Sequence, residues 1–119
     1  MGHKRVMAVY GEHPSWNAQE VADSGRSIYA VTSPPCGEIR RINVNSAPFD
    51  TEGFRLLKQA GIGTYQCFQE TYHRATYRQV HLGGRKTDYD WRLYAMHRAQ
   101  DAGVDYVGLG DLFGRVDHR

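Results

Sequence analysis

Four side chains of different hydrogen-bonding chemistry stand in a row at Glu70-Thr-Tyr-His73, where the extended run Gly63-Thr-Tyr-Gln-Cys-Phe-Gln-Glu70 ends. A carboxylate offers acceptors to two hydroxyls at once, so Glu70 is suited to a ribose diol. An imidazole such as His73 can act as acid or base, or simply close the start of a helix. Gln66 and Gln69 are expected on one face of the run as polar lining. Functional groups of a parallel sheet sit just past the carboxyl ends of its strands, so this cluster is read as part of a site.

Other groups invite the same question. Gly11-Glu12-His13 follows an apolar run. A glycine there admits close approach of a ligand, and Glu12 could accept from an ammonium group; a turn carrying a surface acid is the competing reading. Asn43 and Asn45 alternate onto one face with Arg41, as lining of a barrel or as the wet face of an open sheet. His81, Gly83-Gly84, Arg85 and Lys86 form a basic loop that could hold a carboxylate or be merely solvated. Gly108-Leu-Gly110 with Gly114 lacks the G-x-G-x-x-G spacing, so a dinucleotide fingerprint is rejected. The glycines would instead let a flat adenine lie against the backbone, or let the strand bend. His3, His13, His73, His81, His97 and His118 show no H-x-H or H-x-x-x-H spacing, and Cys36 and Cys67 make no C-x-x-C, so no metal site is assigned.

The elements that must position these groups follow from periodicity. Residues 5–10 read as a buried strand. Ser15 is the expected N-cap of a helix carrying Val21, Gly25, Ile28 and Tyr29. Residues 33–37 read as a loop and 38–45 as a strand. Pro48 and Asp50 open a helix bearing Phe54, Leu57 and Ala60, which Gly61 closes. After the run ending at Glu70, a helical turn is predicted over 73–80 and a break at Gly83-Gly84. Thr87 with Asp90 predicts the cap of one long helix presenting Trp91, Ala95, Ala99 and Ala102, ended by Gly103. Residues 104–110 make the last strand. Gln59-Ala-Gly-Ile-Gly63 and Asp101-Ala-Gly-Val-Asp105 are one device used twice: a helix end, a left-handed glycine, an apolar residue, then a strand.

The order is βαβαβαβ, which specifies an α/β fold with a parallel sheet and right-handed crossovers. A complete eight-unit barrel needs about 250 residues, so a chain of 119 is expected to hold about half of one, as residues 1–119 of a single barrel domain incomplete at both ends. The formal charge of 15 − 13 = +2 comes from scattered Lys and Arg, which argues against a nucleic-acid partner. No apolar stretch suits a bilayer, and no secretory pattern opens the chain. With only two cysteines, a reducing and hence cytoplasmic setting is expected.

The motifs Val9-Tyr-Gly-Glu-His-Pro14, Arg40-Arg-Ile-Asn-Val-Asn45, Gly61-Ile-Gly-Thr-Tyr-Gln-Cys-Phe-Gln-Glu-Thr-Tyr-His73, Lys86-Thr-Asp-Tyr-Asp-Trp-Arg-Leu93 and Val107-Gly-Leu-Gly-Asp-Leu-Phe-Gly114 resemble those of the radical SAM aromatic-amino-acid lyases. The resemblance spans nearly the whole chain. It is strongest to the tyrosine lyases of [FeFe]-hydrogenase maturation, with the 2-iminoacetate synthases of thiamine biosynthesis next. It implies a TIM-type barrel, S-adenosylmethionine and a [4Fe-4S] cluster. In such enzymes a 5′-deoxyadenosyl radical abstracts hydrogen from tyrosine, whose Cα–Cβ bond breaks to p-cresol and dehydroglycine, leading in hydrogenase maturation to carbon monoxide and cyanide. The resemblance further implies cofactor contacts at Gly11, Glu12, His13, Asn43, Asn45, Glu70, Lys86, Gly108 and Gly110, with Gln69, Tyr72 and His73 towards the tyrosine substrate. Lys86 would meet the methionine carboxylate. Other hydrogenase maturation proteins are the implied partners. The family's C-x-x-x-C-x-x-C motif is absent, so the chain by itself is expected to be inactive. A non-catalytic S-adenosylmethionine-binding module, and a parallel-sheet protein with incidental polar strand ends, are the competing readings.

Overall fold

The computed structural model describes residues 2–35 and 37–113; Cys36, Gly114 and His118, which entered the sequence reading, lie outside the described residues. The elements are β1 (Arg5–Val9), α1 (Ala18–Ala30), β2 (Thr32–Ser33), β3 (Gly37–Glu38), β4 (Arg41–Asn45), α2 (Thr51–Gln59), β5 (Thr64–Gln66), α3 (Arg74–Val80), α4 (Tyr89–Leu93), α5 (Ala95–Asp101) and β6 (Tyr106–Gly108). A short 3-10 turn, Arg85–Thr87, precedes α4. Four strands form one sheet in the order β1-β4-β5-β6, and each neighbouring pair is parallel. This is the expected α/β alternation, a partial barrel, with one addition: β2 and β3 make a small antiparallel hairpin of their own.

Alternation along the strands separates two faces. Ile42, Val44 and Tyr65 point into a core with Val21, Phe54, Leu57, Ala95 and Ala99 from the helices. Phe54 meets the Tyr65 ring edge-on with centroids 4.6 Å apart, and the Tyr65 hydroxyl donates to the Ser46 carbonyl at 2.9 Å. The opposite face carries no helix. There Val9 is 69% exposed, Tyr106 60%, Met7 45% and Phe68 39%, values that mark it as uncovered in the described residues.

Several boundaries differ from expectation for local reasons. Asn17, not Ser15, caps α1, accepting from the Glu20 amide at 3.0 Å. Ser15 is spent in a preceding turn, its amide donating to His13 Nδ1 while the Trp16 amide donates to the His13 carbonyl. The strand expected over 38–45 begins at Arg41, because Gly37 and Glu38 pair with Ser33 and Thr32 instead. Thr87 turns its hydroxyl back to the Gly84 carbonyl, so Asp88 takes the cap and accepts from the Trp91 amide. The expected long helix divides at Tyr94 into α4 and α5. Arg98 accounts for the division: it donates to the Trp91 carbonyl, the acceptor an unbroken helix would give to Ala95, and its guanidinium lies over the Trp91 ring at 3.9 Å.

The repeated glycine device is present at both sites, with φ of 87° at Gly61 and 92° at Gly103. Replacing Gly61 by alanine should cost about 1–2 kcal/mol through the left-handed backbone alone. Phe54→Ala should cost about 3–5 kcal/mol through the cavity left beside Tyr65. Urea unfolding checks both, and equal losses would contradict this division between backbone and packing.

Candidate functional site

Parallel register stacks the uncovered face in layers. Met7, Asn43, Thr64 and Tyr106 share one layer; Val9, Asn45, Gln66 and Gly108 share the next, at the carboxyl rim. The lower layer is closed by Arg41, which donates to Asn43 Oδ1 at 3.3 Å and to Thr64 Oγ1 at 3.1 Å and lies over the Tyr106 ring at 5.0 Å. Asn43 is therefore bonded below the rim, whereas Asn45 stands at it. Beyond the upper layer, Gly108 and Gly110 leave room for β5 side chains. A Cβ at Gly108 would come within 2.7 Å of Gln66 Cγ, and one at Gly110 within 2.6 Å of Phe68 Cδ1. The two glycines thus make a ledge across which Gln66 and Phe68 lie.

Glu12 follows β1 and Glu70 follows β5, so both carboxylates stand on the carboxyl rim. Glu70 is the one non-glycine described residue in the left-handed region, with φ of 71°. It forms a parallel bridge with Asp111, and its carbonyl accepts from the Leu112 amide at 2.8 Å. A left-handed backbone at a residue other than glycine costs about 1–3 kcal/mol and persists where the surroundings over-determine it, most often at functional sites.

Glu12 and Lys86, from two separate segments, line one cleft, and their charges, with that of Arg92, act on the buried Cys67 thiol. Glu12, His13, Trp16, Pro48, Lys86 and Trp91 line a cleft of about 990 Å³ beside the rim. The cleft excludes Asn45, Glu70, Gly108 and Gly110, which lie along the uncovered face instead. Burial raises the Cys67 thiol, and burial raises the Tyr65 phenol still further.

The shared lining face of Gln66 and Gln69 needs correction. Gln69 is not lining: it is 3% exposed, and its Nε2 donates to the Tyr89 carbonyl at 3.3 Å. Gln66 and Gln69 do not share a face, since an odd offset along an extended run turns side chains to opposite sides. His73 is a helix cap, its Nδ1 accepting from the Thr76 amide at 3.3 Å. His13 likewise uses Nδ1 within its turn. Tyr72 is exposed near Asp111, whose charge adds to burial in raising its phenol. Gly11 has open space around it, so nothing in the fold itself requires glycine there. Arg92 was missed: sequence periodicity places it only on a helix, while the structure puts its Nε on the Phe68 carbonyl at 2.9 Å, beside the rim.

Glu70→Asn should raise stability by about 0.5–1 kcal/mol, because asparagine tolerates the left-handed region better; a lower melting temperature would contradict the strain. Cys67 and Tyr65 have raised folded-state pKa values, so their contribution is complete below the ordinary thiol and phenol values and is lost as pH rises through the folded ones. Unfolding free energy should therefore decline above about pH 8.5, and more steeply above about pH 10. Denaturant titrations in a Cys36→Ser background measure this.

No family model matches the chain. The 2-iminoacetate synthase of Escherichia coli K12 is 34% identical over 119 residues, covering 99% of this chain and 30% of the relative. That of Salmonella typhimurium LT2 is 35% identical over 122 residues with the same coverage. A crystal structure of HydG, a maturase of the [FeFe]-hydrogenase, matches with a TM-score of 0.91 and 48% identity over 98% of this chain and 26% of that one. HydG from Carboxydothermus hydrogenoformans matches with a TM-score of 0.83 and 44% identity, again over 98% and 26%. Methylornithine synthase, at 22% identity and a TM-score of 0.71, shares the fold. The chain therefore spans under a third of the length of these relatives, and along its own length it is similar to a segment of HydG and of 2-iminoacetate synthase.

Proposed function

We propose that this chain supplies the cofactor-facing rim of a radical SAM tyrosine lyase of the HydG type. The observation that supports the reading is the parallel rim itself: Glu12, Asn45, Glu70 and the Gly108–Gly110 ledge stand at or after the carboxyl ends of four neighbouring parallel strands, in a chain that matches HydG at 48% identity. The 34–35% identity to 2-iminoacetate synthases makes tyrosine cleavage for thiamine biosynthesis the second reading. Both readings assign the same lyase step, breakage of the tyrosine Cα–Cβ bond to p-cresol and dehydroglycine. The HydG reading continues to carbon monoxide and cyanide, with other maturation proteins as partners and the cytoplasm as setting.

Each residue has a definite task in this reading. Glu12 accepts from the methionine ammonium of S-adenosylmethionine, and Lys86 faces its carboxylate. Glu70 accepts from the ribose hydroxyls. The ledge at Gly108 and Gly110 leaves the backbone open to a flat adenine, and Asn45 offers an amide at the same rim. Tyr72, exposed two residues after Glu70, is the residue assigned to the tyrosine substrate. S-Adenosylmethionine, when bound to a reduced cluster, supplies the radical chemistry.

The residues of this chain do not fit that cluster. Among the described residues no group of three or more His, Cys, Asp or Glu could hold a metal ion. Cys67 is buried, and its thiol is shifted away from the thiolate form that iron requires. The cluster cysteines belong to a polypeptide outside these residues, and no step through the cluster is assigned here. No helix among the described residues is long and apolar enough to cross a membrane.

Calorimetry on the longer protein carrying this segment tests the reading. Glu12→Ala and Glu70→Ala should each weaken S-adenosylmethionine binding about 10- to 100-fold, the worth of a charged hydrogen bond. Unchanged affinity in both would leave the polar strand ends incidental. Anaerobic reconstitution of residues 1–119 alone should yield no [4Fe-4S] spectrum.

A further inference from the structure

The five residues 68–72 are held from four directions. Arg92 Nε donates to the Phe68 carbonyl at 2.9 Å, and Gln69 Nε2 donates to the Tyr89 carbonyl at 3.3 Å. The Leu112 amide donates to the Glu70 carbonyl at 2.8 Å, and the Tyr89 hydroxyl donates to the Tyr72 carbonyl at 2.8 Å. Three of these four bonds come from the first turn of α4 or end on it. The strained residue of the chain, Glu70 with φ of 71°, lies at the centre of this set.

The ladder with β6 slips here: the Cys67 amide still donates to the Gly108 carbonyl at 3.3 Å, but the next pairing is an isolated bridge at Glu70 and Asp111, one residue out of step with the pairing of Gln66 and Gly108. Between them the Phe68 carbonyl is taken by Arg92 of α4. Glutamate has no intrinsic reason to adopt the left-handed region, which costs about 1–2 kcal/mol. Gln69, 3% exposed, and Thr71, 0% exposed, flank Glu70; Gln69 is the one that bonds to α4, whereas Thr71 Oγ1 accepts from the His73 amide. Losing its bond would free the Glu70 peptide to relax into the ordinary extended conformation and rotate the carboxylate off the rim.

We infer that Gln69 is a positioning residue: by tying the end of β5 to α4 it holds Glu70 in its left-handed conformation and so aims the Glu70 carboxylate at the ribose. Tyr89, through its hydroxyl bond to Tyr72, is the second point of the same strap. The inference rests on the assignment of Glu70 to the ribose.

The test uses the longer protein that carries this segment and two probes, 5′-deoxyadenosine and 2′,5′-dideoxyadenosine, competed against S-adenosylmethionine. The wild-type protein should prefer the ribonucleoside by about 10-fold, and Glu70→Ala should bring the two within about 2-fold. Gln69→Met keeps length and removes the donor; it should collapse the same preference while leaving the affinity for free methionine unchanged. Tyr89→Phe, which keeps the ring, should reduce the preference partially. The Gln69→Met/Glu70→Ala double variant should discriminate no worse than Glu70→Ala alone, because the two residues act as one unit. Gln69→Met that lowers the melting temperature but keeps the preference overturns the inference, as does a double variant whose losses multiply. Should Gln69→Met not fold, Tyr89→Phe with full preference overturns it. If Glu70→Ala itself keeps the preference, the ribose assignment fails, and that outcome is distinct from the failure of Gln69 alone.

Discussion

Parallel pairing forces every strand to finish at the same rim, and the rest of the molecule follows from that. Once β1, β4, β5 and β6 run side by side in one direction, the segments after Val9, Asn45, Gln66 and Gly108 are neighbours although they are far apart in the chain. The crossovers put α1, α2 and α5 on one side, where Ile42, Val44 and Tyr65 meet them. The other side is left to side chains that owe nothing to the helices. Arg41 closes its lower end with bonds to Asn43 and Thr64.

Much of this architecture was legible in the residues. Alternating apolar positions and the two Ala-Gly helix ends announce the βα order, because both signals are local: a side-chain period and a backbone conformation that favours glycine. The rim was also legible as a location, since parallel topology fixes it once the order is known. Individual side chains were less so. Gln69 lies an odd offset from Gln66, on the buried side with Tyr65 and Cys67, so reading the two glutamines as one lining face fails on the strand period itself. Gln69 is held there by Tyr89, 20 residues away, and by Arg92 on the Phe68 carbonyl. His73 and His13 carry no sequence mark that separates a cap from a ligand. Their roles depend on which amide falls within reach of Nδ1. The same holds for Ser15 against Asn17 and Thr87 against Asp88, where neighbouring good caps compete and the preceding turn decides.

Arg98 shows how a single side chain can redraw a helix. By taking the Trp91 carbonyl and the Phe49 carbonyl together, it stands at the division between α4 and α5. The first turn of α4 supplies the Tyr89 carbonyl, the Tyr89 hydroxyl and the Arg92 guanidinium that hold residues 68–72.

The left-handed glutamate also bears on how such sequences change over time. Selection for durability by itself opposes this residue at this place, and neutral drift would replace it with glycine or asparagine. Where descendants keep glutamate, something other than folding has been weeding out the alternatives. Position 70 therefore serves as a historical marker: lineages that abandoned the chemistry should shed the acid there early, while their buried aromatic residues remain.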